Sequence, residues 1–264
     1  MTSSPPTPPS TATPEHPTAR PRLRRFNALM AVLHAAQATA MLVLANDFAL
    51  PVITTFLTGP PGGDVTPERV TEQLEIPLGP AVACFLAISA LFHLLVVLPR
   101  VHTTYLREID AGRNRFRWVE YAFSASLMIV LIAQITGISD VAALIALFGV
   151  NASMILFGWV MEVANPPGRP VWWTPFWFGC IAGAVPWVAI AIYLVGPTET
   201  PGFVYGIFVS LFVLFNCFAV NQVLQYKGVG PWRTYAFGET VYVWLSLVAK
   251  SALAWQVFVN VLVD

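Results

Sequence analysis

Residues 245–256 read LSLVAKSALAWQ and form the centre of the last long apolar run of the chain, 237–262. At about 1.5 Å of rise per residue, Lys250 lies roughly 20 Å from either end of a helix over this run. A charged ammonium at that depth is costly and is a candidate functional residue by default. One way to relieve the cost is to join the amine to a carbonyl ligand as a Schiff base and to pair it with a carboxylate.

The composition is that of an integral membrane protein. Of 264 residues, 56% are apolar and 11% are charged, and the mean hydropathy is +0.67, whereas a soluble domain carries about 25% charged residues. The cysteines lie inside apolar runs, so they predict packing rather than a disulfide or a metal site. Nothing indicates a nucleic-acid partner. These cysteines are Cys84, Cys180 and Cys217.

Seven apolar runs are each long enough to cross about 30 Å of hydrocarbon as a helix. The division between the third and fourth depends on a tight turn over 136–140, TGISD. Arginines precede the first run as in a signal peptide, but His34 and Gln37 interrupt it, so we predict a retained helix. The predicted fold is an all-α seven-transmembrane bundle. Its spans are 26–49, 77–99, 117–138, 139–162, 174–196, 201–226 and 236–262.

Two segments outside the predicted spans have compositions that predict a structure other than a membrane helix. Residues 1–22 are rich in proline, serine and threonine and predict a disordered tail before a domain over 23–264. The loop 50–76 contains the turn sequence GPPGGD at 59–64, flanked by short extended pieces. We therefore expect a small β-hairpin in this first outer loop.

The basic residues predict an orientation. Of the 14 lysines and arginines, all except Arg69 and Lys250 lie in the N-terminal segment or in loops on that same side. By the positive-inside rule, the N-terminus is cytoplasmic and, after seven crossings, the C-terminus is extracellular. This is opposite to seven-helix receptors and to ordinary microbial rhodopsins.

Few titratable residues lie within the spans, and most are on the cytoplasmic side of Lys250. Counted from the span ends, His34 is about 12 Å deep, His93 about 9 Å and Glu120 at least about 5 Å. Ser246 precedes Lys250 by four residues and shares its helical face. We expect a polar layer between Lys250 and the cytoplasm.

Each of these residues also has a simpler interpretation. A buried histidine often only hydrogen-bonds a carbonyl group, and Glu120 could pair with Arg117 three positions earlier. Glu239 is about 16 Å from Lys250 along the helix and is typical of a helix N-terminal charge. Trp177 and Phe215 indicate a flat apolar slot or ordinary core packing. The pair Gly179 and Gly183 is a small-xxx-small helix-contact motif, which is a weak signal by itself.

Several motifs together make the chain resemble a heliorhodopsin over nearly its whole length after the tail. The last of them contains Lys250. The motifs are LANDFALP at 44–51, FRWVEY at 116–121, LIAQI at 131–135, GVNASMILFGW at 149–159, FWFGCIAG at 176–183, PGFVYG at 201–206 and SLVAKSALAWQ at 246–256.

The resemblance implies a cofactor, all-trans retinal, bound as a protonated Schiff base. It implies that Lys250 is the linkage and Glu120 the counterion, with Ser246, His34 and His93 in a hydrated, proton-accepting region. It also implies a dimer, in which Gly179 and Gly183 gain a contact role, and a retinal pocket. The pocket positions are Ser124, Met128, Asn151, Met154, Gly158, Trp177, Ile181 and Phe215.

The resemblance implies a light-sensing photoreceptor in the cell membrane rather than an enzyme. A proton that leaves Lys250 and returns from the same side gives no net transport, so we expect a sensory or regulatory role with an unidentified cytoplasmic partner. A light-driven proton transporter is the alternative. An intramembrane enzyme using Lys250 as base or nucleophile is a third hypothesis, which would need further acids near that lysine.

Overall fold

The computed structural model describes residues 19–263, and in this range seven helices are long and apolar enough to cross a membrane. An eighth, shorter helix lies between the second and third crossings. The protein is therefore a multi-pass membrane protein, as predicted. The helices are α1 Ala19–Leu44, α2 Leu78–Val97, α3 Pro99–Asp110, α4 Arg115–Ile135, α5 Val141–Ala164, α6 Thr174–Val195, α7 Gly202–Lys227 and α8 Tyr235–Val257, which continues as a π-helical turn Phe258–Leu262.

The sharp break between α4 and α5 confirms the predicted turn over 136–140. Gly137 has a φ of +102°, a conformation that favours glycine. Asp140 then caps α5, because its Oδ1 accepts hydrogen bonds from the backbone N–H groups of Ala142 and Ala143 at 3.0 and 3.1 Å. The turn thus divides an apolar stretch that is too long for one crossing into two crossings.

The loop between α1 and α2 forms the predicted hairpin. Strands β1 (Ala49–Thr55) and β2 (Val70–Pro77) pair antiparallel, with an irregularity in register between Val52 and Ile53. The Ile53 N–H donates to the carbonyl of Ser139 at 2.9 Å. The hairpin is thereby attached to the turn between α4 and α5.

Two features at the opposite end of the bundle were not predicted. Helix α1 begins at Ala19 and so takes in the end of the predicted tail; residues 1–18 of that tail lie outside the described part of the chain. Helix α3 occupies what was expected to be a loop, and its buried Tyr105 and Ile109 pack against Val96 of α2. We call this end, where α1, α4 and α8 begin, the arginine-rich end.

The surface of the bundle is apolar where it would face lipid. Val43 is 73% exposed, Ile145 68% and Ile192 62%. The main core lies inside the bundle and includes Phe85 and Leu253, both fully buried. Exposed apolar side chains on membrane-length helices fit a lipid bilayer environment, in which such exposure carries no hydrophobic penalty.

Candidate functional site

A buried ion pair lies inside the bundle between α8 and α4. The Nζ atom of Lys250 is 3.1 Å from Oε1 of Glu120, and the two residues are 2% and 4% exposed. Lys250 also donates a hydrogen bond of 2.7 Å to Oγ of Ser246, one helical turn earlier. The ring of Tyr121 lies 5.0 Å from the same nitrogen. The structure therefore brings together the lysine, the acid and the serine that the sequence singled out.

Helix α2 supports the carboxylate of this pair. The hydroxyl of Ser89 donates a hydrogen bond of 2.6 Å to Oε1 of Glu120, the oxygen that also faces Lys250. Ser89 was not predicted from the sequence, although it lies four residues before His93 and so on the same helical face. With this donor in place, Glu120 is oriented by two helices besides its own.

The two predicted histidines lie against each other on the neighbouring helices α1 and α2. The rings of His34 and His93 are stacked, with centroids 5.6 Å apart and planes 9° apart. Nδ1 of His93 is 2.8 Å from Oδ1 of Asn27. His34 is fully buried, and neither ring nitrogen has a hydrogen-bond partner among the described residues.

A small cavity with several polar groups in its wall lies between Glu120 of the ion pair and Arg117 at the arginine-rich end. Its volume is about 40 Å³, and its walls include Asn27, His93, Glu120 and Tyr121. A site of this size with several polar groups can hold ordered water. The hydrated layer expected beside Lys250 therefore has a physical counterpart on one side of the ion pair.

A larger cavity of about 320 Å³ opens beside Lys250 and Ser246 and extends between α4, α5, α6 and α7. Its walls are mostly apolar and aromatic. The ring of Trp187 lies edge-on to those of Phe212 and Phe215, at 5.3 and 5.5 Å between centroids. The result is a flat apolar slot with an amine in its wall.

Two glycines let the side chains that line this slot pack back into its walls. A Cβ atom added at Gly183 would lie 2.5 Å from Sδ of Met154, and one added at Gly158 would overlap the ring of Trp118. Any larger residue at these two positions would therefore narrow the space.

Half of the predicted pocket positions line the cavity, namely Met128, Met154, Gly158 and Phe215. Two others are buried but are not among the lining residues. Asn151 donates a hydrogen bond of 3.0 Å to Ser126, and Ser124 has no hydrogen-bond partner among the described residues.

The remaining two predicted pocket positions, Trp177 and Ile181, do not line the cavity in this structure and lie on the outward face of α6. Trp177 is 61% exposed and Ile181 68% exposed. The lining face of this helix instead carries Phe176, Cys180 and Trp187. The spacing of three to four residues marks one helical face, and positions 177 and 181 are rotated away from it.

The two glycines predicted as a dimer contact, Gly179 and Gly183, lie against α5 of the same chain, and the dimer contact stays a prediction. Both glycines line the cavity. A Cβ added at Gly179 would contact Phe157 of α5 at 3.4 Å, and Gly183 faces Met154 of the same helix. The small-xxx-small motif thus serves the packing of α5 against α6 within one chain.

A second buried ionic cluster, at the arginine-rich end, corrects the interpretations of Arg117 and Glu239. Arg117 pairs with Glu162 at 2.5 Å and also with Glu239, rather than with Glu120. Its guanidinium carbon lies 3.8 Å from the ring centroid of Tyr242. The sequence indicated three charges near span ends, but not that α4, α5 and α8 bring them together.

A sequence model of the heliorhodopsin family matches residues 23–262. The chain belongs to the heliorhodopsin family. A search of curated proteins found no match. Heliorhodopsins are microbial rhodopsins, a family of light-sensing membrane proteins rather than classical enzymes, and membership supports a light-sensing function for this chain.

Membership in a rhodopsin family implies retinal bound to a lysine, and the site fits such a ligand. The long cavity is apolar, as a polyene requires, and its volume of about 320 Å³ is within the range of about 300–1,000 Å³ usual for ligand pockets. Lys250 would supply the amine and Glu120 the balancing charge. A side chain at Gly158 or Gly183 would displace Trp118 or Met154, both of which line the cavity.

Proposed function

We propose that this heliorhodopsin is a photoreceptor that holds all-trans retinal covalently on Lys250, with Glu120 as the counterion. One observation carries the proposal. The buried Lys250 nitrogen, 3.1 Å from Glu120, lies in the wall of an apolar cavity of about 320 Å³. A buried charge without such a partner would be strongly destabilising.

When bound, retinal supplies light absorption and isomerisation through a protonated Schiff-base linkage. The chain's own residues set the electrostatics around the Lys250 nitrogen. Glu120 stabilises its positive charge in surroundings of low dielectric, and Ser89 holds the carboxylate in place through a 2.6 Å hydrogen bond. Ser246 accepts a hydrogen bond from the nitrogen at 2.7 Å and so orients its proton.

The distribution of acids supports a role without net ion transport. In the described part of the chain, the buried carboxylates are Glu120, Glu162 and Glu239. Glu162 and Glu239 bind Arg117 near the arginine-rich end, and Glu120 faces the small cavity on the same side. We propose that a proton leaving the Lys250 nitrogen moves toward Glu120, His93 and that cavity, and returns by the same route.

A slow, reversible proton displacement of this kind suits a sensory or regulatory role. The output would be a conformational change at the arginine-rich end, which the positive-inside rule assigns to the cytoplasm. A homodimer and a signalling partner on that side stay predictions.

The absorption spectrum tests the chromophore assignment. Membranes containing the wild-type chain are expected to form a coloured pigment when all-trans retinal is added, and hydroxylamine is expected to bleach it. Lys250→Ala should give no pigment, whereas Lys227→Ala, at the exposed lysine outside the bundle core, should behave as wild type.

Glu120→Gln should shift the absorption to longer wavelength because the counterion charge is lost, and the exposed Glu72→Gln should not. An unshifted Glu120→Gln pigment would assign the counterion elsewhere.

Illuminated cells test the absence of transport. Cells that express the pigment should show no sustained change in external pH under light. A robust pH change that a protonophore abolishes would refute the sensory proposal and favour a light-driven proton transporter.

A further inference from the structure

Helix α3 is a surface helix attached directly to the end of a membrane span. Only Leu98 separates it from the last residue of α2, Val97. One face packs on the bundle through Tyr105 and Ile109. The opposite face exposes Arg100 and Arg107, which are seven residues apart and so lie on one side of the helix.

A third arginine is fixed at the same level by a contact with α2. Nε of Arg24 donates a hydrogen bond of 3.2 Å to the carbonyl of Val97. Exposed leucines lie alongside, with Leu94 52% and Leu98 44% exposed. Exposed basic residues at the end of a span, next to apolar residues, are typical of surfaces that contact anionic lipid headgroups.

The buried face of α3 is connected to the proton-accepting region. Tyr105 is 2% exposed and lies with Asn27 in the wall of the small cavity. The same Asn27 side chain lies 2.8 Å from Nδ1 of His93. Burial raises the pKa of Tyr105 to about 12, so its hydroxyl keeps its proton at neutral pH. Tyr105, Asn27, His93 and Glu120 all line the small cavity, and Glu120 connects it to Lys250 through the ion pair.

We propose that Arg24, Arg100 and Arg107 form a binding surface for anionic phospholipid headgroups, and that Tyr105 and Asn27 couple this surface to His93. A bound headgroup would hold α3 against the bundle and thereby fix the position of Asn27. Since coupling between two sites is reciprocal, a change beside Lys250 would alter headgroup binding, and headgroup binding would alter the recovery of the pigment. The light-dependent part rests on the proposed photoreceptor function, and the lipid binding does not.

Lipid binding can be measured without light. The purified full chain is mixed with equal amounts of phosphatidylglycerol and phosphatidylcholine, and the retained lipids are counted by native mass spectrometry. We expect a preference for phosphatidylglycerol that falls about fivefold for each arginine removed in Arg100→Gln and Arg107→Gln. Arg169→Gln, at an exposed arginine of the loop between α5 and α6, is the matched control and should keep the preference.

Two results would overturn lipid binding. One is equal retention of both lipids by the wild-type chain, which would leave the surface to another partner such as an acidic protein. The other is an Arg100→Gln, Arg107→Gln double variant that keeps the wild-type preference.

The coupling is tested on the pigment in vesicles of phosphatidylcholine with and without phosphatidylglycerol. We expect phosphatidylglycerol to change the recovery time after a flash severalfold in the wild type. Tyr105→Phe keeps the ring and removes the hydroxyl, so it should retain the lipid preference and lose the lipid effect on recovery. A Tyr105→Phe pigment that still responds to phosphatidylglycerol would refute the coupling. A chain that forms no pigment would refute the photoreceptor function and the coupling together, while the mass measurement still decides lipid binding.

Discussion

Removal of Arg117 should strongly destabilise the protein, because two buried carboxylates depend on it. Arg117, Glu162 and Glu239 are 6%, 4% and 0% exposed. In Arg117→Met, Glu162 keeps hydrogen bonds from Trp118 and from two further donors, whereas Glu239 keeps only one hydrogen bond described for it, from Asn114. Glu239 is therefore the carboxylate left buried without a counterion and with the fewest hydrogen bonds, and its charge is the stranded one.

The size of the effect follows from these contacts. Breaking a buried ion pair costs about 3–5 kcal/mol, and losing the stacking of Arg117 on the Tyr242 ring, 3.8 Å away, adds about 1 kcal/mol. We expect Arg117→Met to lower the free energy of unfolding by about 4–6 kcal/mol. Adding Glu239→Gln removes the stranded charge and should recover about 2–3 kcal/mol.

The assay is unfolding of the purified chain by sodium dodecyl sulfate in mixed micelles, followed by helical circular dichroism. Arg115→Met is the matched control, because this neighbouring arginine is exposed, and it should change stability by less than about 0.5 kcal/mol. A loss of less than about 1 kcal/mol in Arg117→Met would refute the dependence of the two carboxylates on Arg117. A double variant Arg117→Met, Glu239→Gln that is less stable than Arg117→Met alone would refute it equally.

Three further predictions concern the cavity and the fold. Gly158→Val should reduce the pigment yield on addition of retinal, because its side chain meets an indole ring, whereas Gly149→Val, with open space around the added Cβ, should not; equal yields would contradict the cavity assignment. Trp187→Ala should shift the absorption maximum, and Trp177→Ala, on the outer face of α6, should leave it unchanged in a spectrum of the detergent-solubilised pigment. Asp140→Ala should lower the free energy of unfolding in the micelle assay by about 0.5–2 kcal/mol through loss of the α5 cap, and an unchanged stability would show that the cap is dispensable.

The sequence predicted the spans because insertion into a bilayer is a local property. A run of about 20 apolar residues satisfies its backbone hydrogen bonds as a helix whatever its neighbours are. The turn over 136–140 and the hairpin between β1 and β2 were equally local, since turn residues mark them. Lys250 was identifiable for the same reason, because a lysine in the middle of an apolar run is conspicuous by itself.

Tertiary structure alone decided which side chains meet. Helix α6 is apolar around its circumference, so its sequence does not indicate that Trp187 faces the cavity and that Trp177 does not. Arg117 had an acid nearby in sequence, Glu120, but helix packing gave it Glu162 and Glu239 and left Glu120 to Lys250. Pairing inside the bundle depends on the rotation and order of helices that are distant in sequence, and hydropathy carries no information on either.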